Sequence, residues 1–147
     1  MLAERTVLFR LLLSVVLAAF IGTERQIHRR NAGLRTHILV GLGSCLIMLT
    51  SLYVFAIYKE TANVDPARIA AGVITGIGFL GAGTILRERE SIRGLTTAAS
   101  LWMVAAIGLA TGVGFYSAAV FTTILGLLVL FALRYTESAK FARRNGR

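Results

Sequence analysis

The chain has 147 residues, of which 56% are hydrophobic, and its mean hydropathy is +0.72. A soluble domain of this length could not cover so much apolar surface with polar side chains, which excludes an ordinary soluble globular protein. The net charge of +9 could indicate nucleic-acid binding, but the basic residues lie between apolar runs, as in cytoplasmic loops of membrane proteins. We therefore predict one membrane domain, residues 1–147, that contacts the lipid bilayer and no nucleic acid.

Five apolar runs follow one another along the chain. The predicted spans are residues 7–22, 36–58, 67–86, 97–111 and 117–133. The last two belong to an uncharged run of 40 residues, 94–133, which is too long for one crossing of about 30 Å of hydrocarbon. The glycines and aromatics of residues 112–117 mark the break between them. The predicted fold class is all-α, a polytopic membrane helix bundle with five transmembrane helices.

Two residues in the first two spans, Arg10 and Cys45, have an expected position for their side chains. Arg10 lies near the start of the first span, and we expect its side chain to extend to the outer headgroups. Cys45 is the only cysteine and lies in an apolar run, so we interpret it as a small packing residue.

The third span is the richest in glycine. Asp65 followed by Pro66 is a helix-start signal, because Asp caps well and Pro needs no N–H at the first helical position. The glycines of this span are Gly72, Gly76, Gly78, Gly81 and Gly83. Glycines let membrane helices approach closely, so we predict that this helix is the packing axis of the bundle. The alternative is that residues 76–83 unwind and expose carbonyl groups to an ion.

The distribution of Lys and Arg predicts the orientation. The loop after the first span has four, the loop after the third span has three, and the tail after the fifth span has five. The opposite side has the remaining four of the 16 basic residues. The positive-inside rule then places the amino terminus outside and the carboxyl terminus in the cytoplasm.

Two segments of the chain resemble each other. In both, Phe-x-Gly precedes a basic loop and Gly-Leu-x-Thr opens the next span, so that Gly33 matches Gly94 and Thr36 matches Thr97. One interpretation is a duplicated hairpin, with the fifth helix as an addition. The other is that Gly-Leu-x-Thr is a good start for any membrane helix.

The polar candidates lie at the ends of the spans. Glu24 is the carboxylate placed deepest at the cytoplasmic edge, and Arg25 and Arg35 are its expected partners. This group is either a structural ion pair or a coupling site, and Glu24 is the one candidate metal ligand. Asp65 and Arg68 could pair, although capping by Asp65 is the preferred interpretation. Further candidates are the hydroxyls of Thr96 and Thr97 and the packing residue Trp102.

The residues give little support for catalysis or for a dedicated ion route. Spans two to five contain no carboxylate in their apolar runs, whereas a Mg²⁺ pathway normally needs oxygen ligands there. Nothing resembles a hydrolytic triad, a zinc site or a phosphate-binding loop. We predict no enzyme activity and no cofactor, with Mg²⁺ as the one ion under consideration.

Several long motifs resemble the MgtC/SapB family. They are IGTERQ (21–26), AGLRTHILVGLGS (32–44), DPARIAAGVITGIGFLGAGTIL (65–86) and RGLTTAASLWMVAAIGLATG (93–112). The resemblance implies a bacterial inner-membrane protein that is linked by name to Mg²⁺ transport. It also implies a regulator of growth in low Mg²⁺ and of virulence, with one branch associated with restraint of the F-type ATP synthase.

The resemblance also suggests functional positions. The residues carried over by motif are Glu24, Arg25, Arg35, Asp65, Arg68, Gly76, Gly78, Gly81, Gly83, Thr96, Thr97 and Trp102. This chain departs from the best-studied virulence branch at Thr96, where that branch has Asn. Many members carry a soluble carboxyl-terminal domain, and we expect this chain, which ends at Arg147, to lack it.

Two functional hypotheses follow from these observations. The first is a membrane regulator, a homodimer through small-residue faces, that acts by helix contacts with a membrane complex such as ATP synthase. The second is a transporter or channel for Mg²⁺ or another small solute.

Overall fold

The computed structural model describes the backbone of residues 2–88 and 91–144, and the side chains of residues 2–87 and 91–132. Within these ranges the chain forms five helices and one antiparallel hairpin of two strands. The helices are α1 (Glu4–Ile27), α2 (Leu34–Tyr58), α3 (Pro66–Gly83), α4 (Leu95–Val113) and α5 (Tyr116–Arg144), and the strands β1 (Leu86–Glu88) and β2 (Ser91–Arg93) connect α3 to α4. The predicted all-helical bundle is confirmed, with this short hairpin added.

Four of the helices, α1 to α4, are long and apolar enough to cross a membrane. The apolar part of α5 in the described residues, Tyr116–Ala132, is shorter. The predicted third span ends too late, at residue 86, because Leu86 already pairs with Arg93 in the hairpin. The predicted break at residues 112–117 is confirmed, since Gly114 turns the chain there with φ +96°. The basic side chains of the tail lie outside the described side chains.

The helix-start signals work as the sequence predicts. Asp65 caps α3, since its carboxylate accepts a hydrogen bond of 2.8 Å from the N–H of Ala67. Gly33 and Gly94 are both N-cap residues, so both copies of Gly-Leu-x-Thr open a helix. Gly94 has φ +93°, and a Cβ there would overlap the carbonyl group of Thr84, so this turn requires glycine. Duplication of the two hairpins stays a prediction.

The bundle is organised around α4 and α2, not around α3. Helix α4 contributes to all three buried apolar clusters, through Leu101 and Ala105, through Ile107, and through Val104. Half of an apolar 18-residue segment of α4 is buried, compared with 11% of the corresponding segment of α3. The prediction that the glycine helix is the packing axis is therefore wrong within this chain.

The glycines that allow close packing lie on other helices. A Cβ on Gly112 would lie 2.7 Å from Cβ of Met48 and 2.8 Å from the carbonyl oxygen of Cys45. A Cβ on Gly41 would lie 2.8 Å from Cβ of Ala18. A Cβ on Gly108 would lie 3.2 Å from the amide nitrogen of Cys45, which belongs to the backbone of α2. These positions bring α1, α2 and α4 together, because only a residue without a side chain fits the short distance between backbones.

The glycines of α3 lie on exposed surface with one exception. A Cβ on Gly72, Gly76, Gly78 or Gly83 would meet nothing within 4 Å, whereas one on Gly81 would lie 3.5 Å from Cβ of Ala98. The helix is continuous through this run, so the alternative of an unwound segment is not observed. Trp102 is 52% exposed, so much of its ring does not pack against the rest of the described chain, and its role as a packing residue stays a prediction.

Arg10 does not extend to the headgroups as predicted. Its side chain turns inward, where Nη1 donates to the carbonyl oxygen of Gly112 at 2.7 Å and Nε donates to Oη of Tyr116 at 3.0 Å. The last carbonyls of a helix lack partners within the helix and attract cations, so Arg10 stabilises the end of α4. Cys45 is fully buried beside it, as predicted.

Candidate functional site

A polar cluster lies where α1 ends and where α2 and α4 begin. It contains Glu24, Arg25 and His28 from α1, His37 from α2 and Ser100 from α4. All except His28 are buried. Charged and polar groups buried in a membrane protein are costly unless they are paired, so such a cluster marks a candidate functional site.

Glu24 is held by residues of its own helix. One carboxylate oxygen, Oε1, lies 2.8 Å from Nδ1 of His28, one turn further along α1. The other oxygen, Oε2, lies 3.5 Å from Nη1 of Arg25 and makes no hydrogen bond. The same Nδ1 of His28 also lies 2.7 Å from the carbonyl oxygen of Glu24. Glu24, Arg25 and His28 thus form an ion-paired group next to the basic loop, in which one carboxylate oxygen of Glu24 has no hydrogen bond.

The predicted partners of Glu24 are half correct. Arg25 pairs with Glu24, whereas Arg35 is exposed and forms no ion pair with Glu24. His28 takes its place, and the spacing of four residues between Glu24 and His28 was the sequence signal for it. As a candidate metal ligand, Glu24 has two cationic or potentially cationic neighbours instead of other carboxylates. Among the described residues, no three His, Cys, Asp or Glu side chains form a group that could hold a metal ion.

His37 connects the starts of α2 and α4. Its Nδ1 donates to the carbonyl oxygen of Gly33 at 2.8 Å, since a carbonyl can only accept. In the neutral ring, Nε2 then accepts from the hydroxyl of Ser100 at 3.0 Å. The same hydroxyl lies 2.8 Å from the carbonyl oxygen of Thr97, so Ser100 can donate to either acceptor. The sequence did not indicate this contact, because 63 residues separate the two side chains.

We expect Ser100→Ala to destabilise the bundle by about 1–3 kcal/mol, because Nε2 of the fully buried His37 would lose its partner. Thermal unfolding of the purified protein in detergent measures this effect. Thr96→Ala is the matched control, since it removes an exposed hydroxyl from the same helix turn. Equal stability of the two variants would contradict the assignment.

The remaining predicted residues do not join the cluster. Asp65 and Arg68 form no ion pair with each other or with the other described residues; Asp65 is the N-cap of α3, and Arg68 lies in the first turn of that helix. Thr97 is buried beside Ser100 and Thr96 is exposed on the adjacent position of α4. The functional roles of these residues stay predictions.

The geometry defines a multi-pass helical membrane protein with a buried polar cluster at one end of the bundle. Comparison with known proteins identifies the family. The sequence model of the MgtC family matches residues 11–139, so the chain belongs to this family. The predicted resemblance to the MgtC/SapB family is thereby confirmed.

Curated relatives support the same assignment. The chain is 47% identical over 125 residues to an Escherichia coli (strain K12) protein named "Putative magnesium transporter YhiD", covering 84% of this chain and 58% of that protein. It is 44% identical over 135 residues to "Protein MgtC" of Salmonella typhimurium (strain LT2), covering 89% of this chain and 55% of that protein. The chain thus spans a little over half the length of these relatives. No solved structure matches it.

Proposed function

We propose that this protein is a bacterial inner-membrane regulator of the MgtC type, which supports adaptation to low Mg²⁺ through helix contacts with a membrane partner. The link to Mg²⁺ is at the level of the family, in which the relatives named MgtC and YhiD fall. The proposal includes a homodimer, no enzyme activity, and an orientation with the amino terminus outside and the carboxyl terminus in the cytoplasm. ATP synthase is the candidate partner that the family resemblance suggests.

The observation that supports this function is the exposed glycine face of α3, formed by Gly72, Gly76 and Gly83. Their spacings of four and seven residues place them on one side of the helix, and a Cβ added at any of them would meet no described atom within 4 Å. The exposed ring of Phe79 lies beside them, with 83% of its surface accessible. Small residues on a membrane helix allow another helix to approach closely, so this face suits contact between proteins.

We expect Gly76→Leu to weaken dimerisation and partner binding by about tenfold or more, equivalent to about 1.4 kcal/mol, while the protein still folds. The bulky side chain would keep the second helix at a distance. Chemical cross-linking of membranes and co-purification of partner proteins measure the two interactions, and growth in low Mg²⁺ reports on function.

Gly43→Leu is the matched control for this experiment. Gly43 is also a helix glycine whose added Cβ would meet nothing within 4 Å, but it lies on α2. Both variants should accumulate to normal amounts. Equal losses in both variants, or no loss in Gly76→Leu, would argue against the glycine face as the contact surface.

The second candidate function is transport of Mg²⁺ or another small solute, which the name of the Escherichia coli relative favours. Purified protein in liposomes tests it through Mg²⁺ uptake measured with an entrapped indicator. We expect no saturable flux. Saturable flux that disappears in Glu24→Gln would replace the regulator by a transporter.

A further inference from the structure

A basic cavity of about 590 Å³ lies between the end of α1, the following loop, the hairpin and the start of α4. Four arginines line it: Arg25, Arg29, Arg30 and Arg93. None of the described lining residues is acidic, and the other polar ones are Asn31, Thr96 and Thr97. Arg25, Arg29 and Arg30 bring three guanidinium groups to this cavity, and the planar fork of a guanidinium matches the geometry of a phosphate, so the cavity favours an anion.

The first turn of α4 faces the same cavity. Gly94 is the N-cap of this helix and has no side chain, so no cap satisfies the first N–H groups of α4. Leu95, Thr96 and Thr97, which carry those groups, line the cavity. Free N–H groups and the positive end of the helix dipole favour an anion at such a position.

Arg25 gives a second, independent indication that this cavity suits an anion. Its side chain is only 4% exposed, and its Nε is buried without any hydrogen-bond partner. The carboxylate of Glu24 approaches Nη1 at 3.5 Å, which is too long for a strong charge-assisted hydrogen bond. Buried donors normally have a partner, and this unsatisfied donor belongs to a side chain that lines the cavity, which indicates a binding site.

The rim of the cavity is apolar. Leu86, Ile92 and Leu95 line it and are each more than half exposed. An anion that carries apolar chains could place its charge among the arginines and its chains against these three side chains. Basic pockets at the cytoplasmic ends of membrane helices bind lipid headgroups in this way.

We propose that this cavity binds a phosphate group, held by Arg25, Arg30 and the first N–H groups of α4. The phosphate comes from an anionic phospholipid headgroup or from free phosphate, and the chemistry of recognition is the same for both. The site is separate from the glycine face of α3 and does not depend on the proposed regulatory function.

The test uses the purified full chain in a neutral detergent at constant ionic strength. Phosphatidylglycerol, phosphatidylcholine and inorganic phosphate are titrated separately, and binding is followed by native mass spectrometry and by the midpoint of thermal unfolding. We expect Arg25→Gln to reduce affinity by at least about tenfold, and Arg30→Gln by a smaller factor, because each removes a charge-assisted hydrogen bond.

Two further variants keep the test decisive if Arg25→Gln does not fold. Thr96→Asp places a carboxylate in the first turn of α4, which favours the helix but repels an anion in the cavity, so affinity should fall while stability does not. Arg87→Gln is the matched control, because Arg87 is an exposed arginine of the same hairpin that does not line the cavity. Its affinity should stay within about twofold of the unmodified protein.

The outcomes separate the two sources of phosphate. Saturable binding of phosphatidylglycerol but not of inorganic phosphate or phosphatidylcholine, weakened by the cavity variants alone, identifies a lipid headgroup. Stabilisation by inorganic phosphate with the same dependence on the variants identifies free phosphate. Binding of neither, or an equal loss in Arg87→Gln, would overturn the proposal, since only the general positive field of the loops would then act.

Discussion

Gly108→Ala is expected to destabilise the bundle by about 3 kcal/mol, although it adds only one methyl group. That methyl would lie 2.8 Å from Cβ of Ser44 and 3.2 Å from the amide nitrogen of Cys45, and still closer to the carbonyl oxygen of Gly41. Two of these atoms belong to the backbone of α2, which cannot rotate away as a side chain can. Helices α2 and α4 must therefore move apart, which loosens the centre of the protein. Unfolding in mixed detergent micelles, followed by circular dichroism, measures the loss.

Gly76→Ala on α3 is the matched control for this prediction. The same methyl group would meet nothing within 4 Å there, and alanine is the better helix former by about 1 kcal/mol. The control should be as stable as the unmodified protein or slightly more so. If Gly108→Ala were as stable as Gly76→Ala, the close approach of α2 and α4 would be contradicted.

Arg10→Ala is expected to destabilise the end of the bundle that lies opposite the polar cluster. The expected loss is about 3 kcal/mol or more, since hydrogen bonds to charged groups contribute about 1.5–3 kcal/mol each. The substitution removes the donors to the carbonyl oxygen of Gly112 and to Oη of Tyr116. It also removes a cation from the carboxyl-terminal end of the α4 dipole. Hydrogen exchange should become faster at the junction of α4 and α5, residues 110–116, more than elsewhere.

Arg5→Ala serves as the control for Arg10→Ala. Arg5 lies on the same helix and loses the same charge, but its side chain is exposed and forms no hydrogen bond or ion pair within the described part of the chain. We expect a change within about 0.5 kcal/mol for this surface position. Fast exchange at residues 110–116 in both variants would indicate a general effect of charge and not the contact with Gly112.

Local signals in the sequence predicted most of the helix boundaries. Asp65 followed by Pro66 starts α3, Gly33 and Gly94 precede α2 and α4, and the glycines at 112 and 114 mark the break before α5. These features act through the backbone of adjacent residues, so no distant contact is needed to interpret them. The hairpin was missed because strands of three residues carry too little pattern to distinguish them from a loop.

The candidate site was predictable only in part. Glu24 and Arg25 were identified because a buried carboxylate at a membrane edge requires a cation. His28 could have been found from its spacing to Glu24 along α1. The contact of His37 with Ser100, and that of Arg10 with Gly112, join residues more than sixty positions apart, and periodicity within a helix carries no information on such pairs.

By itself, the sequence determined that this is a helical membrane protein of the MgtC family, because hydrophobicity, charge and long motifs are properties of the chain alone. Only the tertiary structure decided which glycines pack and which stay exposed. A glycine on a membrane helix permits close approach but does not specify the neighbour, since lipid and protein are equally apolar. The arrangement of the other helices made Gly108 a buried contact and left Gly76 on the surface.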